Sequence, residues 1–466
     1  MTPRKEKNLQ MPVVQEALTI THPHAAGIDV HSRKHWVAVP PDHVPTPSAD
    51  AAKDLPYVRQ FDTYTADLEM LADWLQQCGI TTVAMESTGI YWIALFELLE
   101  RRGFEVFLVD PRQTKHAPGR PKTDRLDCQW IQRLHSFGLL TASFRPEDQV
   151  VVLRSYLRQR QMLISHAGQH IQHMQKALEL MNVKLTEVVN DVTGMTGMAI
   201  IKDILAGQRD PLKLAKHRDC RCRRTEAEIA RALHGNWRDE HLFALQQALE
   251  LYEFYKRQLA VCDERLAAYL KTFDDRSDGK PLPAKRRLNP RQANMPAFDA
   301  RTGLYRLAGV DLTVVEGISE RTALVILSEI GRDMSKFPTA KHFVSWLGLC
   351  PQHQSSAGKI RSRHIRRGTN RAALAFRLAA QGCHHAKTAI GAFYRRIQAR
   401  AGGPKAVVAT ARKIAERVYR LLKYGLAYVR QGMEAYEQAY QNRVVKGLAR
   451  KAKELGFQLV PTAGTT

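Results

Sequence analysis

The sequence predicts a mixed α/β domain at its N-terminal end, a helical coiled-coil middle and a mainly α C-terminal domain. Three observations predict this. Three β-like segments are followed by alternating helix and strand patterns between Ala25 and Asp124; two long stretches between residues 153 and 270 repeat apolar residues at heptad spacing; and from Leu304 the periodicity is mostly helical.

Residues 1–24 are polar and read as a leader. The pattern then turns β-like at Gly27 to Val30, His35 to Val39 and Val58 to Tyr64. Thr65 to Cys78 is an amphipathic helix with Leu68, Leu71, Trp74 and Leu75 on its apolar side. Strand Thr81 to Met85, helix Tyr91 to Arg102, strand Glu105 to Val109 and a helix begun near Asp124 complete a mixed sheet flanked by helices.

The first heptad stretch runs through Leu153, Leu157, Ile164, Ala167, Ile171, Met174, Leu178 and Met181, and only Arg160 interrupts its seam. The second, from Thr225 to Leu270 with a break at Gly235, repeats Leu245, Tyr252, Leu259 and Leu266 beside Ala248, Tyr255, Cys262 and Tyr269. Sustained heptads specify coiled-coil packing, between these helices or between subunits, and a homo-oligomer, dimer or tetramer, is expected. His166, His170 and His173 share one side of a basic helix with no carboxylate to complete a metal site. Phosphate contact or simple exposure fits them better than zinc.

Pro281, Pro283, Pro290 and Pro296 mark a linker. Val315 to Ala323 is similar to a degenerate helix-hairpin-helix, with Glu316 and Ser319 at positions where proline and glycine are usual. An ordinary helix-turn fits equally. The expected organisation is a leader (1–24), an α/β catalytic domain (25–145), a helical coiled-coil region (146–280), a linker (281–300), a helical domain (301–445) and a tail (446–466).

The 466 residues carry a formal charge of +24, which favours a polyanionic partner over a small neutral substrate. No apolar run is long enough to span a bilayer and no signal-peptide pattern begins at Met1, so no membrane partner and a cytoplasmic, nucleoid-associated location are expected. Seven scattered cysteines suit a reducing compartment. Between Asp333 and Glu416 there is no carboxylate, while Lys359, Arg361, Arg363, Arg366, Arg367 and Arg371 follow one another closely. A one-signed block of this kind reads as a nucleic-acid surface.

The candidate chemistry centres on Asp124 and Asp127, three residues apart at a helix start and therefore on one face. Asp29, on the first strand, and Glu86, at the end of a later one, could join them at one side of the sheet. Carboxylates are the hard oxygen ligands that Mg²⁺ prefers. A second candidate is Ser355 or Ser356, beside Ala357-Gly358 and the basic run, where a hydroxyl could approach a phosphodiester and arginines could stabilise the charge of phosphoryl transfer.

The order of the four acids resembles that of the RNase H-like (RuvC-like) nucleases and recombinases. Gly27-Ile28-Asp29, Glu86 to Tyr91, Lys122-Thr123-Asp124 with Asp127, and Gly348-Leu349-Cys350-Pro351 followed by Ser355 to Gly358 together resemble the DEDD-type transposases of bacterial insertion sequences, the RNA-guided bridge recombinases. The resemblance implies an RNase H-like domain in which Asp29, Glu86, Asp124 and Asp127 bind Mg²⁺. It also implies a helical transposase domain whose serine links covalently to DNA, and counting from the Gly-Leu-x-Pro motif favours Ser356 over Ser355. Donor and target DNA and an element-encoded guide (bridge) RNA are the implied partners, with active sites combining domains from different subunits. Two alternatives make different demands: a metal-dependent junction-resolving nuclease would use water as nucleophile, and a non-catalytic RNA-binding scaffold would need neither serine nor acids.

Overall fold

The computed structural model describes residues 19–45, 55–115, 123–284, 294–352, 354–356, 359–362, 364–366, 368 and 370–460. Most of the leader, residues 1–18, Arg363, Arg367, Ala357-Gly358, the centre of the linker and the last residues of the tail lie outside the described set. The chain divides into two compact units, 1–145 and 146–466.

The first unit is built on a five-stranded sheet. Its strands are β1 (Ala25–Val30), β2 (Lys34–Ala38), β3 (Val58–Asp62), β4 (Thr82–Glu86) and β5 (Glu105–Val109), in the order β3-β2-β1-β4-β5. β1 to β3 are antiparallel neighbours, whereas β1, β4 and β5 run parallel. Every residue of β1 is buried, as a central strand covered on both faces requires. On one face Ile28, Val30, Val83 and Met85 pack against α1 (Thr65–Gln77) and α2 (Trp92–Arg101), with Leu71, Leu75, Leu95 and Leu99 fully enclosed. On the other, Ala84 and Val109 meet Ile131 of α3 (Asp124–Ser136). Period-2 alternation thus places Gly27, Asp29, Ala84 and Glu86 on the α3 face.

His135, near the end of α3, is enclosed on this face. Its ring stacks on His22 at 4.8 Å and tilts over Phe107 at 4.6 Å, and its Nε2 lies 2.9 Å from Thr82 Oγ1. That hydroxyl donates its proton to Glu105 O, so Nε2 carries the ring hydrogen, and Nδ1 is left without a hydrogen-bond partner among the described residues. Protonation would put a charge on Nδ1 in a buried pocket. Burial accordingly pushes His135 down to about 4, and His35 on β2 likewise. A folded-state value below the unfolded one means that the unfolded chain binds more protons between about pH 6.5 and 4. Stability is therefore expected to fall as the pH drops through that window, by roughly 3 kcal/mol for His135. His135→Leu should flatten the dependence, measured as unfolding midpoints in urea across that range.

The second unit begins with α4 (Asp148–Leu180), which packs antiparallel on α9 (Asp239–Leu270). Tyr269 donates to Gln149 O, Cys262 to Tyr156 O, and His166 and His170 stack on Tyr255 at 5.3 and 5.5 Å. The two heptad seams face each other within one chain, and the histidine row is held by a tyrosine face. Four short helices lie between them: α5 (Leu185–Val188), α6 (Met195–Leu205), α7 (Pro211–Ala215) and α8 (Glu226–Ala232). They close a core with Met174, Leu178 and Leu245.

Arg160, the interruption in the first seam, has a partner on the facing helix. Its Nε donates to Asp263 Oδ1 at 2.5 Å, both side chains being about 95% buried, and its Nη1 donates to Asn294 O. Ala297 N donates to Asp263 Oδ2, so the pair also pins the end of the proline-bearing segment. Removing one partner strands a buried charge, and Asp263→Ala is expected to cost about 3–5 kcal/mol. Replacing both, as in Arg160→Met with Asp263→Leu, should restore much of that in the same thermal-unfolding measurement.

The remaining elements are α10 (Ala300–Ala308), α11 (Glu320–Ile330), α12 (Ala340–Trp346), the hairpin β6 (Gln354–Ser356) and β7 (Lys359–Ser362), α13 (Arg371–Gly382), α14 (Ala389–Ala401) and α15 (Gly403–Glu454). In the segment similar to a helix-hairpin-helix, Gly317 has φ of 84° and its Cα faces α13 so closely that a Cβ would lie 2.4 Å from Ala379 O. Ser319 caps α11 and Glu316 pairs with Arg417 at 3.6 Å. This turn is an internal joint between helices.

Candidate functional site

The parallel register of β1 and β4 pairs Ile28 with Met85, so Asp29 and Glu86 are the next residues along, on neighbouring strands and the same face. Both stand at the C-terminal edge of the sheet, where open α/β sheets bind ligands. Helix α3 brings in the other two acids. Thr123 caps its N-terminus by accepting from Leu126 N, which leaves Asp124 and Asp127 in the first turn, where the helix dipole favours negative charge. Close approach is possible because residue 27 is glycine: a Cβ there would lie 2.1 Å from Gln132 N and 2.5 Å from Cys128 O.

Asp29 is 6% exposed and Asp127 9%, while Asp124 is open to solvent. Between them sits His31, whose Nε2 lies 3.0 Å from Asp29 Oδ2 and 3.5 Å from Asp124 Oδ1. One ligand atom from each of Asp29, His31 and Asp124 falls within 4.8 Å of the others, a spacing that one metal ion can bridge. Burial pushes Asp29 up to about 6; His31 opposes the rise, and the charges of Glu86 and Asp127 add to it. Glu86 and Asp127 are thus outside the tightest group but close enough to act on its buried member. The Thr114 hydroxyl donates to Glu86 Oε1 and fixes that carboxylate. The donor set is mainly hard carboxylate oxygen, which fits a divalent ion.

The serine candidates lie in the second unit. Ser356 is the last residue of β6, in register with Lys359 of β7, and Ser355 pairs with Ile360 beside a bulge at Gln354/Ser355. Arg361 is on β7, Arg366 follows it and Arg371 opens α13; all three are exposed.

Two family models match the chain. A DEDD transposase model of the IS110 type covers residues 26–183, and a model described as transposase IS116/IS110/IS902 family covers 311–395. Together they span more than half of the residues. The chain belongs to the IS110 transposase family. The first match contains Asp29, Glu86, Asp124 and Asp127, and the second contains both serines and the basic run. An insertion element IS110 uncharacterized 43.6 kDa protein from Streptomyces coelicolor is 36% identical over 119 residues, which are 25% of this chain and 29% of that protein.

His31 was not among the residues singled out from the IS110-type sequence, although a signal for it exists. It stands two positions after Asp29 at a strand end, where period 2 puts both on one face. Thr114 had no such signal, because its link to Glu86 depends on the loop after β5 folding back.

Proposed function

We propose that this chain is a DNA transposase that exchanges strands through phosphoryl transfer, with an RNase H-like domain holding Mg²⁺ and Ser356 as nucleophile. The observation that carries the reading is the convergence of Asp29, His31 and Asp124, with Glu86 and Asp127 beside them, at the open end of the sheet. Asp29, Glu86, Asp124 and Asp127 would hold the ion, and His31 orients Asp29 and Asp124 toward a common point. A divalent ion bound there supplies Lewis-acid stabilisation of charge on the phosphoryl oxygens.

In the proposed step the Ser356 hydroxyl oxygen bonds to phosphorus while the bond from phosphorus to a deoxyribose oxygen breaks. The serine proton is lost and the departing oxygen takes one up. Attack by the hydroxyl of a second strand reverses the exchange and restores the serine, so phosphodiester bonds are conserved and no nucleotide triphosphate is needed. Lys359, Arg361, Arg363, Arg366, Arg367 and Arg371 would hold phosphates. A structured guide RNA pairing with donor and target DNA would supply sequence choice, since contacts to the backbone alone do not read bases.

The test incubates the full chain with the element's flanking RNA, labelled donor and target DNA and Mg²⁺, then looks for DNA bound to denatured protein. Wild type and Ser355→Ala are expected to form the adduct, while Ser356→Ala and Asp124→Ala lose it by at least about 100-fold, the scale set by removing a nucleophile or its electrostatic support. Cleavage that persists in both serine variants without an adduct would instead support hydrolysis by water.

A further inference from the structure

Helix α15 is bent. At Gly425 φ is 80° and ψ is 179°, so residues 403–424 and 426–454 form two arms, and the second folds back until Glu437 accepts a hydrogen bond from Ala389 N at the start of α14. Only glycine takes that φ without strain, which makes the bend a property of the sequence. A cavity of about 390 Å³ lies between the arms, lined by Lys413, Arg417, Arg420, Tyr428 and Tyr436 with Glu416.

The charge in this cavity is unbalanced. Lys413 Nζ is wedged between the rings of Phe393 at 4.7 Å and Tyr436 at 5.0 Å, and Arg417 lies over Tyr436 at 5.4 Å. Glu416, the acid of the group, is engaged by Arg412 at 3.0 Å, and Arg417 reaches Glu316 at 3.6 Å. Arg420 is exposed and makes no ion pair among the described residues. Burial, then Arg417, Arg396 and Arg412, lowers the Lys413 ammonium from its ordinary value, so an anion would be welcome there. The aromatic faces hold the cations in place before any ligand arrives, and the Tyr428 ring is 55% exposed at the rim.

We infer that the bend of α15 is a binding pocket for single-stranded nucleic acid, taking one phosphodiester on Lys413, Arg417 and Arg420 and an adjacent base on Tyr428. The cavity is large enough for a nucleotide, and a phosphate demands the several cations that converge here. Base-on-ring stacking accepts any sequence, which suits a single strand of RNA or DNA. The inference rests on the reading of the chain as a nucleic-acid enzyme but concerns a site separate from the acids and the serine hairpin.

The probe is single-stranded oligouridine carrying iodouridine, irradiated with the full chain and mapped by mass spectrometry. Crosslinks are expected at Tyr428, falling about tenfold in Arg420→Gln and lost in Tyr428→Leu. Both substitutions are at exposed positions, and circular dichroism checks that each variant is folded. Arg420→Gln should also reduce the slope of log affinity against log salt by about 0.7, the value for one phosphate on a single strand. Crosslinks confined to residues 359–371 with an unchanged slope would overturn the pocket. So would displacement from Tyr428 by an acidic peptide but not by unlabelled oligouridine. DNA adduct formation is measured in the same preparation: an adduct without crosslinks at the bend rejects the pocket alone, whereas loss of both in folded wild type rejects the enzyme reading as well.

Discussion

Gly27→Ala is expected to lower the stability of the N-terminal unit by at least about 3 kcal/mol and to abolish the proposed strand exchange. One methyl group has this effect because of what it meets. A Cβ at position 27 would lie 2.1 Å from Gln132 N and 2.6 Å from Gln132 Cα, and backbone cannot rotate aside as a side chain can. Either β1 or α3 must move outward, and α3 carries Asp124 and Asp127 with it. The same substitution at Gly168, within α4 and with no described residue within 4 Å of the added methyl, should instead stabilise by about 0.5–1 kcal/mol through helix propensity. Opposite signs for the two variants in thermal unfolding would show that close approach of α3, and not glycine loss as such, is responsible.

Asp29→Asn should have a divided outcome. Without metal, Asp29 is a buried carboxylate held above its ordinary range by burial, with Glu86 and Asp127 adding to the penalty. A folded-state value raised from 3.8 to about 6 destabilises the fold as the pH climbs through that window, and the full penalty is present above it. The amide carries no charge, so the metal-free variant is expected to be more stable than wild type by on the order of 1–3 kcal/mol at neutral pH. Wild type should in turn gain about 2.7 kcal/mol when Mg²⁺ reaches a hundredfold excess over its dissociation constant, and the variant should gain far less. A destabilised metal-free variant would contradict the electrostatic account of the site.

Much of this was legible in the sequence, for reasons particular to its elements. Strand β5 is read from five residues, Glu105 to Val109, because turn residues flank an uninterrupted β-rich run. Helix α1 buries Leu68, Leu71, Trp74 and Leu75, the four residues its periodicity selects. The acids could be assigned to strand ends and a helix start because those elements were readable. Other features depend on contacts distant in sequence. Arg160 reads as a flaw in a heptad until Asp263, about a hundred residues later, is placed opposite it. The heptads themselves do not name their partner, and here each seam finds the other in its own chain. Period 2 puts His31 on the face of Asp29, but that spacing gains meaning only when α3 brings Asp124 against it. The bend of α15 rests on a single glycine inside a sequence that otherwise reads as continuous helix.

Whether the acids of β1, β4 and α3 form one divalent-ion centre is tested most directly by calorimetric titration of Mg²⁺ into the full chain. Wild type is expected to show saturable binding that weakens by at least about tenfold in Asp29→Asn and in Asp124→Asn, as the loss of a ligand at a shared ion requires. Binding of undiminished affinity in both variants, with the fold intact, would contradict it.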